Sequence, residues 1–285
     1  MDEKDFEMLV DLAHTCNLTK TAQRLFLTQS ALTKRVQKLE EELGATFFLR
    51  TKKGLVPTPV MEKLVPHLHA ITDSLEQMRN LCASHDGEVA GTLTLGVSSN
   101  YARYRLPAVL EEYMALYPKV DINLNSHRSP TLYRFLMEGS LSAAIIRGEY
   151  AWKEGDVILS EEPLCLVKSK EHEHTPLAEL PYIARETDSD LLATISAWRA
   201  GEGLTPTRSD LSISDVPTVI TLVERGMGWS ILPAICLDDF QGIVTPLCQG
   251  NEPITRKTHF LYREGHLSLP QLSAFLEIAK RHEKP

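Results

Sequence analysis

Residues 19–43, TKTAQRLFLTQSALTKRVQKLEEEL, constrain the fold of this chain more than any other stretch. They read as two short helices joined by a tight turn at Phe26 and Leu27. Thr19 is placed to cap the first helix and Thr28 the second, because a threonine hydroxyl can accept a hydrogen bond from a free backbone amide. The pattern predicts a helix-turn-helix.

The second of these helices has two different faces. Successive residues step by about 100° around a helix axis. One narrow face is therefore apolar and carries Leu32, Val36, Leu39 and Leu43. Another arc carries only side chains that form hydrogen bonds, which suits the reading of base edges in the major groove of DNA. The predicted reading residues are Thr28, Gln29, Ser30, Thr33, Lys34 and Gln37.

Charge is unevenly distributed along the chain. Between Asp11 and Glu40 there is no acidic residue, whereas Lys20, Arg24, Lys34, Arg35 and Lys38 all occur. The chain has a net charge of −8, yet residues 1–57 hold nine Lys/Arg against eight Asp/Glu, so the acidic excess lies beyond them. An amphipathic helix pair with ordinary surface charge is the alternative, but the long acid-free window favours DNA binding.

A short β-wing is expected after the helix pair. Residues 45–58 carry Phe47, Phe48 and Leu55 around basic residues and a glycine. Such a hairpin can lie along a phosphate backbone, and three cations in it could pair with phosphates. They are Arg50, Lys52 and Lys53.

The region from Phe6 to Gly54 resembles the winged helix-turn-helix of LysR-type transcriptional regulators, a bacterial family. The matching positions are Ala22, Leu25, Thr28, Gln29, Ser30, Ala31, Leu39, Glu40, Leu43, Gly44, Phe48 and Arg50. The chain departs from the family pattern at Thr21, where a second small residue is usual, and at residues 58–61, TPVM. The resemblance implies a sequence-specific DNA-binding protein.

A long helix is predicted from Pro59 to about Ser84. Its apolar residues are spaced by four or three, at Met61, Val65, Leu68, Ile71, Leu75, Met78 and Cys82. This is the seam of a coiled coil, and its simplest partner is the same helix of a second subunit. Packing against the chain's own C-terminal domain is the alternative. Pro66 lies inside the helix and is expected to bend it.

Strands and helices alternate beyond a predicted hinge at residues 85–91. The predicted strands are residues 92–97, 120–125, 143–146, 164–167, 182–184, 229–232 and 258–262, and the predicted helices are 106–117, 132–137, 191–200, 217–225 and 269–281. Alternation of this kind predicts an α/β fold with parallel sheets covered by helices. The stretch resembles the effector-binding domain of LysR-type regulators, which implies two lobes built like periplasmic binding proteins and joined by two crossing strands.

We therefore predict an N-terminal all-α winged helix-turn-helix, a long linker helix and a C-terminal two-lobed α/β domain. The expected limits are residues 1–58 for DNA binding, 59–86 for the dimerising linker and 87–285 for effector binding. Within the last domain, lobe I comprises residues 91–162 and 261–285, and lobe II comprises residues 163–260.

A small-molecule site is expected between the lobes. In open α/β sheets, ligands bind beyond the carboxyl ends of the strands, where helix N-termini present free amides. Hydroxyls and amides of this kind suit a carboxylate, and an arginine could add a bidentate grip. The predicted effector-binding residues are Ser98, Ser99, Asn100, Thr131 and Arg147. The alternatives are that the serines are simple helix caps and that Arg147 pairs with Glu149 or Glu154.

Two other classes of protein remain open from the sequence. An enzyme could use the α/β lobes, but no Gly-x-Ser-x-Gly, P-loop or Gly-x-Gly-x-x-Gly motif follows a strand. An architectural DNA-binding protein could use them only for assembly.

The five cysteines are odd in number and lack Cys-x-x-Cys spacing, so reduced thiols are expected. A redox pair of Cys236 and Cys248 is the alternative. We expect no cofactor and no metal at His67, His69, His172 or His174.

The sequence thus predicts a transcription regulator that is not an enzyme. Its expected partners are double-stranded DNA with an inverted-repeat site, a small effector of polar or anionic character, and further copies of the chain. The linker helix would form a homodimer, and the family resemblance implies a homotetramer; RNA polymerase is a further candidate partner. No run of about 18 apolar residues or secretory signal occurs, so a cytoplasmic protein without membrane contact is expected.

Overall fold

The computed structural model describes residues 1–51, 54–84, 88–204 and 210–283. The N-terminal region has three helices, α1 (Glu3–Thr15), α2 (Leu18–Arg24) and α3 (Gln29–Leu43), followed by a hairpin of β1 (Phe48–Thr51) and β2 (Gly54–Pro57). Leu9, Leu12, Leu32 and Phe47 are fully buried in its core. The predicted helix pair and wing are confirmed.

Side-chain caps determine where these helices begin. The Asp2 side chain accepts from the Asp5 amide in a capping box at the start of α1. The cap of α2 is Asn17, whose Oδ1 accepts from the amides of Thr19 and Lys20 at 3.0 Å each. The prediction that Thr19 caps this helix was wrong, because the helix begins one residue before it. Thr28 caps α3 as predicted, accepting from the Ala31 amide at 3.2 Å.

The linker helix α4 (Pro59–Ala83) is continuous through Pro66. Thr58 accepts from the Met61 amide at 3.2 Å and donates to the Thr46 carbonyl at 2.8 Å, so one side chain caps α4 and holds the wing. Pro59 occupies the first turn, where a missing N–H costs nothing. The departure from the family pattern at residues 58–61 therefore still allows a well-capped helix.

The remaining elements form two lobes. Lobe I contains β3 (Gly91–Ser98), α5 (Ser99–Tyr104), α6 (Leu106–Leu116), β4 (Val120–His127), α7 (Ser129–Glu138) and β5 (Ala143–Arg147), and β6 (Gly155–Lys168) leaves it. Lobe II contains β7 (Ile183–Arg185), α8 (Ser189–Gly201), β8 (Leu211–Ile213), α9 (Val216–Glu224), β9 (Trp229–Pro233), β10 (Ile243–Pro246), β11 (Cys248–Gln249) and β12 (Glu252–Pro253). β13 (Thr255–Tyr262) and α10 (Pro270–His282) return to lobe I.

The main sheet has seven strands in the order β10-β6-β13-β5-β3-β4, with β9 also paired to β6. β3 is parallel to β4 and β5, whereas β13 is antiparallel to β5 and β6. The predicted parallel pairing is therefore confirmed for β3, β4 and β5 but does not hold for β6 and β13. The reason is that β6 carries the chain out of lobe I and β13 brings it back, so these two neighbours must run in opposite directions.

β6 is the longer of the two crossing strands, with 14 residues. Its first part pairs with β13 in lobe I, and its last part pairs with β9 and β10 in lobe II. The sequence predicted only residues 164–167, because the preceding residues alternate around charged side chains and leave a weak strand signal. β13 joins the sheet at Thr255, six residues before the expected return to lobe I at 261.

Buried apolar side chains from both lobes join into one cluster, which includes Val97, Val219, Leu232 and Phe275. This packing lies at the crossing strands and leaves the carboxyl ends of the lobe strands open to a cleft. Within the described part of the chain, no helix is long and apolar enough to cross a membrane.

Candidate functional site: a reading helix and an interlobe cleft

The predicted reading face of α3 is solvent-exposed. Thr28, Gln29, Ser30, Lys34 and Gln37 are exposed and Thr33 is half-buried. The opposite face is fixed in the core, since Leu32, Val36 and Leu39 are 0%, 7% and 2% exposed. Leu43 is 48% exposed because the helix ends there, at the left-handed turn of Gly44. The burial pattern orients the polar arc outward.

Not every basic residue of this region is available to DNA. Arg35 pairs with Asp5 at 2.5 Å and with Asp2 at 2.7 Å, and Arg24 pairs with Asp11 at 3.0 Å. These two arginines therefore hold α2 and α3 against α1. Lys20, Lys34 and Lys38 are exposed, and no described residue forms an ion pair with them.

The wing is attached to the reading helix by Glu40. Its carboxylate accepts from the backbone amides of Phe47 at 2.6 Å and Phe48 at 3.2 Å. Arg50 is exposed on β1. Lys52 and Lys53, which the sequence also assigned to DNA contact, lie outside the described residues.

Phe26, in the turn before α3, was not among the residues predicted to contact DNA. Its side chain is 96% exposed and its φ is +55°, a left-handed conformation that costs a non-glycine residue free energy. A large apolar side chain that is almost fully exposed and sits in a strained turn has no evident role in the fold. The signal in the sequence was a Phe inside the two-residue break between helical patterns.

The cleft between the lobes holds a cavity of about 640 Å³. It lies where the carboxyl ends of β3, β5 and β7 meet, as expected for open α/β sheets. All five predicted effector residues line it: Ser98, Ser99, Asn100, Thr131 and Arg147. A volume of this size fits a small metabolite.

Arg147 is less available than the sequence suggested. The side chain is 3% exposed and forms an ion pair with Glu162 of β6. Its Nε also donates to the Thr258 hydroxyl at 3.3 Å. Burial lowers the pKa of Arg147 to about 9.

Neither carboxylate considered from the sequence is the partner of Arg147. Glu149 pairs with Lys257 at 3.1 Å, and Glu154 accepts from the Glu264 amide at 2.5 Å. Glu162 was overlooked because β6 was not predicted there.

Four further arginines line the cavity, and sequence reasoning missed them: Arg103, Arg128, Arg185 and Arg256. Arg128 pairs with Glu186 at 2.7 Å, and Arg256 pairs with Asp188 at 2.5 Å. Arg128 directly follows β4 and Arg185 ends β7, so the rule that selected Arg147 could have found both.

The helix N-termini of the two lobes differ at the cleft. In lobe II, Asp188 and Asp215 accept from the amides of Leu191 and Thr218 at 3.0 Å each, so α8 and α9 are capped. In lobe I, no described side chain caps α5 or α7. The Ser98 hydroxyl oxygen is buried with no hydrogen-bond partner among the described residues. Lobe I therefore presents unused donors to the cavity.

The linker helix is fixed to lobe I by a row of polar side chains. Asn80 accepts from the Thr92 amide at 2.8 Å and donates to the Thr92 carbonyl at 3.2 Å. Asp73 accepts from Ser142 at 2.5 Å, and Glu76 accepts from Thr94 at 3.1 Å. Packing on the chain's own C-terminal domain, the alternative considered from the sequence, is thus real for this face of α4.

The apolar seam of the linker helix is divided. Met61 and Leu68 are buried, at 0% and 4% exposure, in the N-terminal core. Further along the seam, Ile71 and Met78 are 41% and 62% exposed, and Leu81 beside them is 58% exposed. This second part is an apolar surface that no described residue covers.

Cys236 lies buried, and three arginines lie near enough to lower its pKa: Arg147, Arg185 and Arg105. Burial nevertheless dominates and raises the pKa of the thiol to about 11, so Cys236 remains protonated at neutral pH.

Comparison with known proteins agrees with this architecture. The family described as "Bacterial regulatory helix-turn-helix protein, lysR family" matches residues 4–62, and the "LysR substrate binding domain" matches residues 86–284. The uncharacterized regulators YraN and YkuM of Bacillus subtilis are 31% and 32% identical to this chain. The alignment with YraN covers 98% of both chains, and that with YkuM covers 98% of this chain and 97% of the other.

Solved structures share the fold. A full-length OxyR variant from Pseudomonas aeruginosa superposes with a TM-score of 0.69 at 21% identity, covering 99% of this chain and 94% of the other. CbnR complexed with its target DNA superposes with a TM-score of 0.61 at 16% identity, covering 99% and 100%. Both domains, their order and the exposed reading helix agree with the family matches. This chain belongs to the LysR family of transcriptional regulators, with an N-terminal DNA-binding domain and a C-terminal effector-binding domain.

Proposed function

We propose that this regulator binds an inverted-repeat DNA site as a dimer, and that a small polar or anionic metabolite in the interlobe cleft changes that binding. The observation that carries the proposal is the cavity of about 640 Å³ at the meeting point of the strand ends of both lobes. Its wall combines arginines, free hydroxyls and uncapped helix N-termini. A ligand that touches both lobes favours one arrangement of them over another.

The route from cleft to DNA runs through lobe I and the linker helix. Lobe I contributes Ser98, Ser99 and Thr131 to the cavity, and it is bound to α4 through Asn80 and Asp73. A rotation of lobe I would therefore move α4, which leads directly into the DNA-binding domain. The ligand shifts the balance only by its difference in affinity between the two states, typically about 1–3 kcal/mol.

The exposed apolar part of α4 supports dimerisation. Ile71 and Met78 are one heptad apart and exposed, which fits the seam of a two-stranded coiled coil. Two reading helices held in this way would meet two half-sites in successive major grooves.

The edge strand β4, with Leu124 37% exposed, supports pairing of effector domains into a tetramer. We further propose a cytoplasmic protein with no catalytic activity, which contacts RNA polymerase at its promoter.

The test starts from DNA selection with the purified full-length chain on a library of random duplexes. The proposal expects an inverted repeat among the selected sequences. Thermal unfolding against a metabolite panel, with and without the selected duplex, then looks for a compound that stabilises the protein. Turnover of that compound would indicate an enzyme, and selection of single half-sites would contradict the dimer.

A further inference from the structure

Three arginines form the inner wall of the interlobe cavity: Arg147, Arg185 and Arg256. Two of them have a carboxylate partner within the chain, Glu162 for Arg147 and Asp188 for Arg256. Arg256 also donates to the Arg147 carbonyl at 2.8 Å, so its guanidinium is held both by the charge of Asp188 and by this hydrogen bond. Arg147 and Arg256 therefore each have a carboxylate of the chain itself as a neighbour.

Arg185 differs from both, since no described carboxylate forms an ion pair with it. Its Nε is buried and unpaired among residues 1–51, 54–84, 88–204 and 210–283. Its one side-chain hydrogen bond in those residues is a long contact of 3.4 Å from the guanidinium to the Thr187 hydroxyl. Burial lowers the pKa of Arg185 and so does the charge of Arg256, whereas the charge of Asp188, whose ion pair is with Arg256, raises it. A cation held in this way costs folding free energy unless something else neutralises it.

The position of Arg185 directs this charge at the cleft. It is the last residue of β7, paired in register with Ile213 of the parallel strand β8. Both strands end at the cavity, where Thr187 and Ser214 supply hydroxyls. Arg185 therefore belongs to lobe II, opposite the hydroxyls of Ser98 and Thr131 on lobe I.

We propose that Arg185 is the anchor for a carboxylate or phosphate group of the effector, which is thus an anion held by lobe II rather than by Arg147. This inference rests on the proposed effector function of the cleft. A planar guanidinium can grip either group with two parallel hydrogen bonds. The rest of the effector then extends toward Ser98 and Thr131, so that its anionic end and its polar end contact different lobes.

The experiment measures thermal unfolding of the full-length chain in sodium chloride, and in sodium acetate, sulfate or phosphate at matched ionic strength. Acetate reports carboxylate binding, and sulfate and phosphate report binding of tetrahedral anions. The variants are Arg185→Met, Arg185→Gln and Arg185→Lys. The control is Arg134→Met, which removes an exposed arginine paired with Glu138 on α7 outside the cavity.

The proposal expects a higher Tm for Arg185→Met than for the wild type in chloride alone, because an unpaired buried charge has been removed. At least one of the three anions should raise the Tm of the wild type and of Arg134→Met above the chloride value. Neither Arg185→Met nor Arg185→Gln should respond, while Arg185→Lys keeps part of the response because it keeps the charge. The apparent dissociation constant should rise roughly tenfold or more without the arginine.

Three results of these melts would overturn the proposal. They are no anion effect on the wild type, an equal anion effect on Arg185→Met, or a lower Tm of that variant in chloride, which would mark Arg185 as a structural residue. A neutral compound that stabilises wild type and Arg185→Met alike, and loses its effect in Thr131→Val, would contradict the anion anchor alone. The proposed effector function of the cleft would then stand.

Discussion

Asp73 of the linker helix and His266 of lobe I lie 2.9 Å apart, from carboxylate oxygen to imidazole Nε2. Gln77 joins them, donating to Asp73 at 2.9 Å and lying 3.0 Å from the His266 ring. Burial alone would lower the pKa of His266, but the hydrogen bond and charge of Asp73 outweigh it and raise that pKa. In return, His266, Ser142 and Gln77 lower the pKa of Asp73 against the opposing effect of burial. The contact between linker and effector domain is therefore an ion pair that depends on pH.

The first prediction concerns that dependence. A histidine whose pKa is raised on folding contributes its full stabilisation below the unfolded value of 6.5, and loses it as pH rises through the folded pKa. The Tm of the wild type should therefore fall as pH rises above about 6.5, and His266→Gln should remove this fall. Circular dichroism melts between about pH 5 and 9 check it.

His69 lies in the same interface and serves as the internal control. Burial lowers the pKa of His69, and so does the charge of Arg263. Its effect has the opposite sign, because charging it as pH drops below 6.5 opposes folding. His69→Gln should therefore leave the loss of stability above neutrality unchanged. An unaltered profile in His266→Gln would contradict the assignment.

The second prediction concerns Phe26. Phe26→Gly should not destabilise the protein and should raise its stability by up to about 1 kcal/mol, because glycine relieves the left-handed strain. If the exposed ring contacts DNA, affinity for the selected duplex should fall. Melts and fluorescence anisotropy measure the two effects, with Leu27→Ala as the neighbouring control. A variant that is less stable would show that Phe26 packs in solution.

The third prediction separates reading from affinity. Gln29→Ala or Thr33→Ala should lower discrimination by about 1–3 kcal/mol at one base pair, because each removes contacts to base edges. Arg50→Ala should weaken binding to all duplexes alike and flatten the salt dependence by about one unit. Competition binding on single-base variants of the selected site measures both. An unchanged base preference in Gln29→Ala would mean that α3 does not read DNA with this arc.

The fourth prediction concerns assembly. Ile71→Asp with Met78→Asp puts two charges into the exposed part of α4 and should yield a species of lower mass with weak operator binding. Leu68 is unsuitable for this test, since it is 4% exposed in the chain's own N-terminal core. Analytical ultracentrifugation gives the mass, and Ser74→Asp, on a polar position of the same helix, is the control. A double variant with the mass of the wild type would exclude this surface.

The reading helix could be predicted because its signals are local. Thr28 caps the helix, and Leu32, Val36 and Leu39 follow one another at helical spacing. Both features therefore lie within one stretch of sequence. The cap of α2 was predicted wrongly, because Asn17 and Thr19 can both cap a helix and only the backbone conformation decides for Asn17. Where local signals compete, the start of an element is predicted to within a residue or two.

The cleft was predicted in outline, but its charge balance was not. Ser98 and Thr131 follow from the rule that ligands bind at strand ends. Arg147 follows from the same rule, yet its partner Glu162 stands on a strand whose sequence signal is weak. Which arginines are neutralised depends on the pairing of β6 with β13, a contact between distant parts of the chain that no local pattern encodes.

The central claim, that a metabolite in the cleft controls DNA binding, is tested most directly by one titration. Fluorescence anisotropy would follow binding of the selected duplex by wild type, Thr131→Val and Ser99→Ala, with and without the compound found by thermal unfolding. The account predicts equal affinity of all three proteins for DNA without the compound, and a shift in affinity on its addition in the wild type alone. An undiminished shift in both variants would contradict it.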